Sequence, residues 1–104
     1  MNFDHEHFDC YRLAVSVARW MRASRFRRGD APLRSQAVRA ADSVVLNIAE
    51  GLSRHDGAGR NHFRIALGSA AETCAVLDLV ELPDGADRQH DLRRIGAMLA
   101  KMSR

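Results

Sequence analysis

Apolar residues recur along most of the chain at spacings of three and four, which is the mark of amphipathic helices. Phe8, Tyr11, Val15, Ala18 and Phe26 form a first stripe, widened by Cys10, Ala14, Val17 and Met21. Leu33, Ala37, Ala40, Val44 and Ile48 form a second. Phe63, Ala66, Leu67, Ala70, Cys74 and Leu77 line one side of a third, and Leu92, Ile95, Met98, Leu99 and Met102 one side of a fourth. The pattern predicts helices over about 7–28, 31–51, 60–82 and 86–103 within a single domain, 1–104. Strands have no strong candidate. The punctuation agrees. Asp30 can N-cap the second helix, with Pro32 in its first turn, where a missing N–H costs nothing. Gly51 suits a left-handed C-cap, and Asp84 or Asp87 can cap the fourth helix. Short links between long helices imply antiparallel neighbours. The expected fold is all-α, an up-down-up-down antiparallel four-helix bundle.

Two of these helices are apolar over more than the arc a bundle core needs. On the first, Leu13 and Trp20 extend the surface, and the strictly polar face shrinks to Asp9, Arg12, Ser16, Arg19 and Ala23. On the third, Ile65, Ser69, Val76 and Leu79 make a second line. Large exposed apolar patches are unusual on monomers, so self-association is expected. Leu13, Val17, Trp20, Ile65, Val76 and Leu79 are the interface candidates. The pattern leaves open which face is core and which is interface.

Charge changes the picture in one place. The 104 residues carry a net charge of +3, and 15 of the 16 basic residues are arginine. Residues 12–39 hold eight arginines and one acid, Asp30, which puts that stretch at +7 and the remainder at −4. Clustered arginine can bind phosphate, so Arg12, Arg19, Arg22, Arg25, Arg27 and Arg28 are candidate contacts to RNA or DNA. The same residues also suit solvated faces and intersubunit ion pairs. No apolar run approaches the ~18 residues of a membrane span. The opening "MNFDHEHFDC" lacks the order of a signal peptide, so a cytoplasmic location with no membrane partner is expected. Cys10 and Cys74 have no metal-ligand spacing and read as reduced packing residues.

The second helix also carries a polar stripe, Gln36, Arg39, Ser43, Asn47 and Glu50, beside its apolar one. Glu72 and Ser69 interrupt the second line of the third helix. Polar groups placed near a core must be hydrogen-bonded or paired. The expected arrangement is a structural seam in which Glu72 and Ser69 face Arg39, Ser43 or Asn47, while Glu50 serves the turn at Gly51. A mid-helix glycine costs about 1 kcal/mol against alanine, so Gly68 is expected where helices two and three approach closely. Metal binding is disfavoured. Neither Glu50 nor Glu72 has a histidine three residues on, and His5, His7, His55, His62 and His90 are scattered. No serine or cysteine has the base and orienting group that nucleophilic catalysis needs. Gly57 and Gly59 lack the following Lys-Ser/Thr of a phosphate loop. No cofactor is expected.

The stretch "LRSQAVRAADSVVLNIAEGLSR" resembles the signature of a bacterial four-helix-bundle family encoded in intervening sequences of large-subunit ribosomal RNA genes. Gln36, Arg39, Ala40, Ala41, Ser43, Asn47, Ile48, Ala49, Glu50, Gly51 and Arg54 carry the match. "IALGSAAE" adds Ile65, Ala66, Gly68, Ser69 and Glu72. His62, Leu67, Ala70 and Thr73 depart from the pattern. The resemblance implies an assembly of four-helix bundles, often a ring-shaped pentamer, with no assigned activity. A related branch, the accessory variability protein of diversity-generating retroelements, is similar in fold and partners a reverse transcriptase and nucleic acid. The leading expectation is therefore a non-enzymatic, cytosolic, homo-oligomeric scaffold. One alternative is a nucleic-acid-binding accessory factor. The other is a small-ligand or metal-binding bundle using Glu50 and Glu72.

Overall fold

The computed structural model describes residues 5–54 and 56–104, with side chains from residue 8 onward. Among them all regular structure is helical: α1 (His5–Ala23), a 3-10 turn (Arg28–Asp30), α2 (Ala31–Ser53), α3 (Gly57–Leu79) and α4 (Gly85–Met102). The helices pack in the cyclic order α1–α2–α3–α4, and α2 with α3 forms the most extensive interface. Antiparallel sense is visible in the pairs. Ser43 meets Ser69 while Asn47 meets His62 across α2 and α3. Gln89 meets Cys74 while Arg64 reaches Ser103 across α3 and α4.

The core is built from Cys10, Ala14, Val17 and Met21 of α1, Ala37, Ala41, Val44 and Ile48 of α2, Phe63, Ala66 and Ala70 of α3, and Leu92, Ile95 and Leu99 of α4. On α1 this corrects the sequence reading. The residues expected to widen the stripe are its centre; of the expected stripe Ala18 is buried with them, whereas Phe8 is 41% exposed. The two sets differ by one residue, a rotation of about 100°. The polar face, Asp9 through Ala23, is placed as expected, exposed throughout. Many core positions are alanine, so the helices come close and each bulky side chain counts. Ile48, Ile95 and Leu99, fully buried, contribute roughly 1.5–3 kcal/mol each by leaving water.

Three boundaries differ from expectation, each for a local reason. The first helix ends at Ala23 rather than near 28. Ser24 donates its hydroxyl to the Trp20 carbonyl at 2.8 Å and its N–H to the Met21 carbonyl, closing the helix. Phe26 then packs against the core, carrying the chain across to α2. Arg25, Arg27 and Arg28 thus lie in the connection and not on a helix. The third helix starts at Gly57, because the Asp56 carboxylate accepts the Ala58 N–H at 3.0 Å and caps it. It ends at Leu79, and Asp84, in the left-handed region at φ 66°, turns the chain into α4. Neither Asp30 nor Asp84 makes a side-chain cap hydrogen bond.

Gly51 is the sharpest departure. It is not a left-handed cap. No described glycine has positive φ, and α2 continues to Ser53. Gly51 is buried inside the helix because the Phe63 ring of α3 lies against it. A Cβ there would sit 2.4, 2.8 and 2.9 Å from three ring carbons. Gly59 faces it: a Cβ on Gly59 would lie 3.0 Å from the Gly51 carbonyl oxygen. These two glycines set the close approach of α2 and α3 at the hairpin. Gly68, expected to do so, has nothing within 4 Å of its would-be Cβ and is exposed.

Candidate functional site

The most connected polar feature is the seam between α2 and α3. Asn47, on the half-buried flank of α2, donates its amide to the Ser43 carbonyl at 2.9 Å and to the Ser43 hydroxyl at 3.1 Å. That orientation leaves the Asn47 Oδ1 as the acceptor facing His62 Nδ1, 2.9 Å away. An amide oxygen can only accept, so His62 Nδ1 carries a proton. The Ser43 hydroxyl in turn hydrogen-bonds the Ser69 hydroxyl at 2.8 Å. One turn further, buried Thr73 donates to the Ser69 carbonyl at 2.8 Å. A continuous chain, His62–Asn47–Ser43–Ser69, therefore ties the two helices along their shared flank.

Below Ser43 and Ser69 the seam opens into a shallow groove of about 420 Å³ lined by Gln36, Arg39, Ala40, Ser43, Ser69 and Glu72. Ala40 forms its apolar base. Arg39 and Glu72 stand on opposite helices, both exposed, and form no ion pair with each other. Glu72 is thus a solvated groove residue and not a core carboxylate. Glu50 lies at the other end. It accepts at 2.9 Å from Arg54, four residues on, the residue that caps α2 at the exposed hairpin. From Glu50 to Ser43, and from Ser69 onward to Glu72, the 1.5 Å rise per residue separates the two carboxylates by about 15 Å along the bundle. They do not share a site. Among the described residues no group of three His, Cys, Asp or Glu side chains could hold a metal ion. His55 and the side chains of His5 and His7 lie outside the described residues.

The seven seam residues expected from sequence thus separate into a bonded trio (Ser43, Asn47, Ser69), a groove (Gln36, Arg39, Glu72) and a hairpin pair at Glu50. The member that sequence reasoning missed is His62. Asn47 stands seven residues before Arg54 and His62 eight after it, so a hairpin turning near Arg54 brings them opposite. That reflection was the available signal.

The arginines also divide. Arg12 stacks on the Phe8 ring, 4.1 Å from its centroid. Arg22 is paired with Asp42, and its carbonyl accepts from Arg34. Arg19, Arg25, Arg27 and Arg28 are exposed and have no partner among the described contacts. Of the six interface candidates, Val17 and Val76 are buried in the protomer's own core and cannot meet another copy. Leu13 and Trp20 are half-buried and pack on that core, with Arg88 lying 5.7 Å from the Trp20 ring centroid. Ile65 and Leu79 are exposed, at 44% and 71%, and so are two residues not anticipated, Phe8 and Leu46, the latter at 66%.

A family model described as 23S rRNA-intervening sequence protein matches residues 7–101, which is nearly the whole chain and extends over α2, α3 and nearly all of α1 and α4. The chain belongs to that family. Both segments that carried the resemblance in sequence, around Asn47 and around Ser69, fall inside the match and meet at the intervening-sequence protein's α2–α3 seam. Neither the curated proteins nor the solved structures include a match to it. No described helix is long and apolar enough to cross a membrane.

Proposed function

We propose that this intervening-sequence protein is a non-enzymatic cytosolic scaffold that works as a homo-oligomer, most simply a ring of five. The observation that carries the reading is the exposure of four large apolar side chains, Phe8, Leu46, Ile65 and Leu79, on the outer faces of three different helices. A bundle that functioned alone would gain solubility from polar residues there. The seam supports a structural role, because its serines, asparagine and histidine are hydrogen-bonded to one another across two helices. Sedimentation equilibrium at micromolar concentration should give a multiple of 11.6 kDa. A single species at the monomer mass would overturn the reading.

A second reading is favoured by one further observation. Arg25, Arg27 and Arg28 fall in and beside the connection between α1 and α2, exposed and without partners among the described contacts. Free guanidinium groups are suited to phosphate, and repetition around a ring would add their potentials. In this reading the protein is an accessory factor that binds RNA or single-stranded DNA weakly and without sequence preference. Binding measured by fluorescence anisotropy should fall steeply with salt, because each phosphate contact releases counterions. Replacing Arg25, Arg27 and Arg28 with serine should flatten that dependence. No anisotropy change at low salt, with assembled protein in excess, would remove this reading and leave the scaffold.

A further inference from the structure

The scaffold reading leaves open which surfaces meet, and two faces of the bundle fit each other. One is the groove between α1 and α2, about 220 Å³, with an apolar floor of Val15, Ala18 and Val45. Leu46 stands on its edge, two-thirds exposed, and Arg19 lines it with no partner among the described residues. The other is the outer face of α3. Ile65, Glu72 and Leu79 recur there every seven residues, so they lie on one stripe of the helix. Between the first two sits Gly68, exposed, with open space where its side chain would be. A glycine in the middle of a long helix weakens it, and no contact with the described residues accounts for this one. Ile65, Gly68, Ser69 and Glu72 have the i, i+3, i+4, i+7 spacing of the four residues that surround a knob in packed helices.

Resting on the scaffold reading, we infer that α3 of one copy docks along the α1–α2 groove of the next, with Leu46 seated over Gly68 and Arg19 opposite Glu72. The occupant is a second copy because each face supplies what the other lacks. The groove offers a protruding leucine and a free guanidinium. The α3 face offers a hole at Gly68 and, at Glu72, a carboxylate with no ion pair among the described residues. Electrostatic complementarity of this kind fixes register more than it adds affinity, while the apolar contacts supply the association. The two faces lie on different sides of the bundle, so the contact is head-to-tail. An open chain of copies then keeps one unfilled face of each kind, one at either end, until it closes on itself. Arg25, Arg27 and Arg28 take no part and stay accessible at the α1–α2 connection.

Cysteine cross-linking tests this directly. Helices meeting at a glycine come within disulfide range, Cα atoms roughly 4.4–6.8 Å apart. In a Cys74→Ser background, with Cys10 buried, three proteins are compared: Leu46→Cys, Gly68→Cys and the double variant. Under mild oxidation the double variant should give a ladder of covalent oligomers on a non-reducing gel, while each single variant stays monomeric. Gly68→Gln, whose Cβ has open space around it among the described residues, should keep its helical circular dichroism and sediment as monomer. Equal cross-linking by a single variant would mean that like faces meet, and would overturn the inference. So would an oligomer that forms no ladder, or that survives Gly68→Gln, although the scaffold reading would then stand. A parent protein that sediments only as monomer would overturn both.

Discussion

Replacing Gly51 by alanine isolates the close approach that holds the hairpin. In an open helical position the change stabilises by about 0.8–1.0 kcal/mol, because alanine loses less backbone freedom on folding. At Gly51 the new Cβ would lie 2.4–2.9 Å from three carbons of the Phe63 ring. Carbon pairs prefer about 3.5–4.0 Å, so the ring must retreat by about 1 Å. It has little room, since Phe63 is buried in the core and Gly59 closes the hairpin against the Gly51 carbonyl. Overpacking of this kind typically costs about 1–3 kcal/mol, and three simultaneous clashes place it in the upper half of that range. The expected net effect is a destabilisation of about 1–2 kcal/mol, which for a domain of this size lowers Tm by roughly 5–10 °C. Urea denaturation followed by circular dichroism, at one protein concentration for all variants, measures it. Phe63→Leu in the Gly51→Ala background should recover part of the loss, giving a coupling energy of about 1 kcal/mol in the double-mutant cycle. A Gly51→Ala protein as stable as the parent, or more so, would refute the reasoning: Gly51 would then be a replaceable helix residue.

The seam gives two further predictions. Asn47→Ala removes the link between His62 and Ser43 and should destabilise by about 1–2 kcal/mol, near the lower end for lost buried hydrogen bonds, because the site is half-buried; Glu72→Gln, in the solvated groove, should stay within about 0.5 kcal/mol, and equal denaturation midpoints for both variants would make the seam a solvated face. In neutral His62 the proton should reside on Nδ1, held by the Asn47 oxygen. Long-range 1H–15N correlation spectra distinguish the two tautomers, and a proton on Nε2 would mean that the Asn47 amide faces the other way and does not donate to Ser43.

The four helices were legible because each repeats its apolar face over several turns, and a signal summed over that length survives local exceptions. What periodicity could not settle was phase. On α1 the apolar arc is wide enough that two stripes one residue apart both read as core, and only the neighbouring helices select Cys10, Ala14, Val17 and Met21. Val17 and Val76 were misplaced for the same reason, since a residue on the edge of a wide arc faces inward or outward according to how the helix is rotated. The glycines misled in a different way. Gly51 ends the strongly apolar run, as a C-cap does, yet the helix continues because the space it leaves is filled by Phe63 from another helix. That contact has no local trace in the chain. The seam was visible in the sequence as a polar stripe, without its member His62 and with only part of its geometry. Ser43, Asn47 and Ser69 bond as expected. Glu72 and Glu50 lie beyond the two ends of that trio, because helices paired antiparallel carry residues with different distances from the turn to different heights.

The geometry of the hairpin also explains why so many polar side chains can lie close to an alanine-rich interface without disrupting it. Gly51, Gly59 and the alanines of α2 and α3 let the backbones approach closely. Helices that close leave no room between them for large apolar side chains along the flank, and short polar ones fit the edge of the contact. A serine pair spans that gap with one hydrogen bond, and an asparagine spans a wider one by reaching a histidine. Widening the gap by a single methyl group at Gly51 would stretch those bonds as well as displace Phe63. The seam and the glycines are therefore one device. It holds α2 and α3 in a fixed register, and with them Leu46 on one helix and Gly68 on the other, the two positions on which the proposed docking depends.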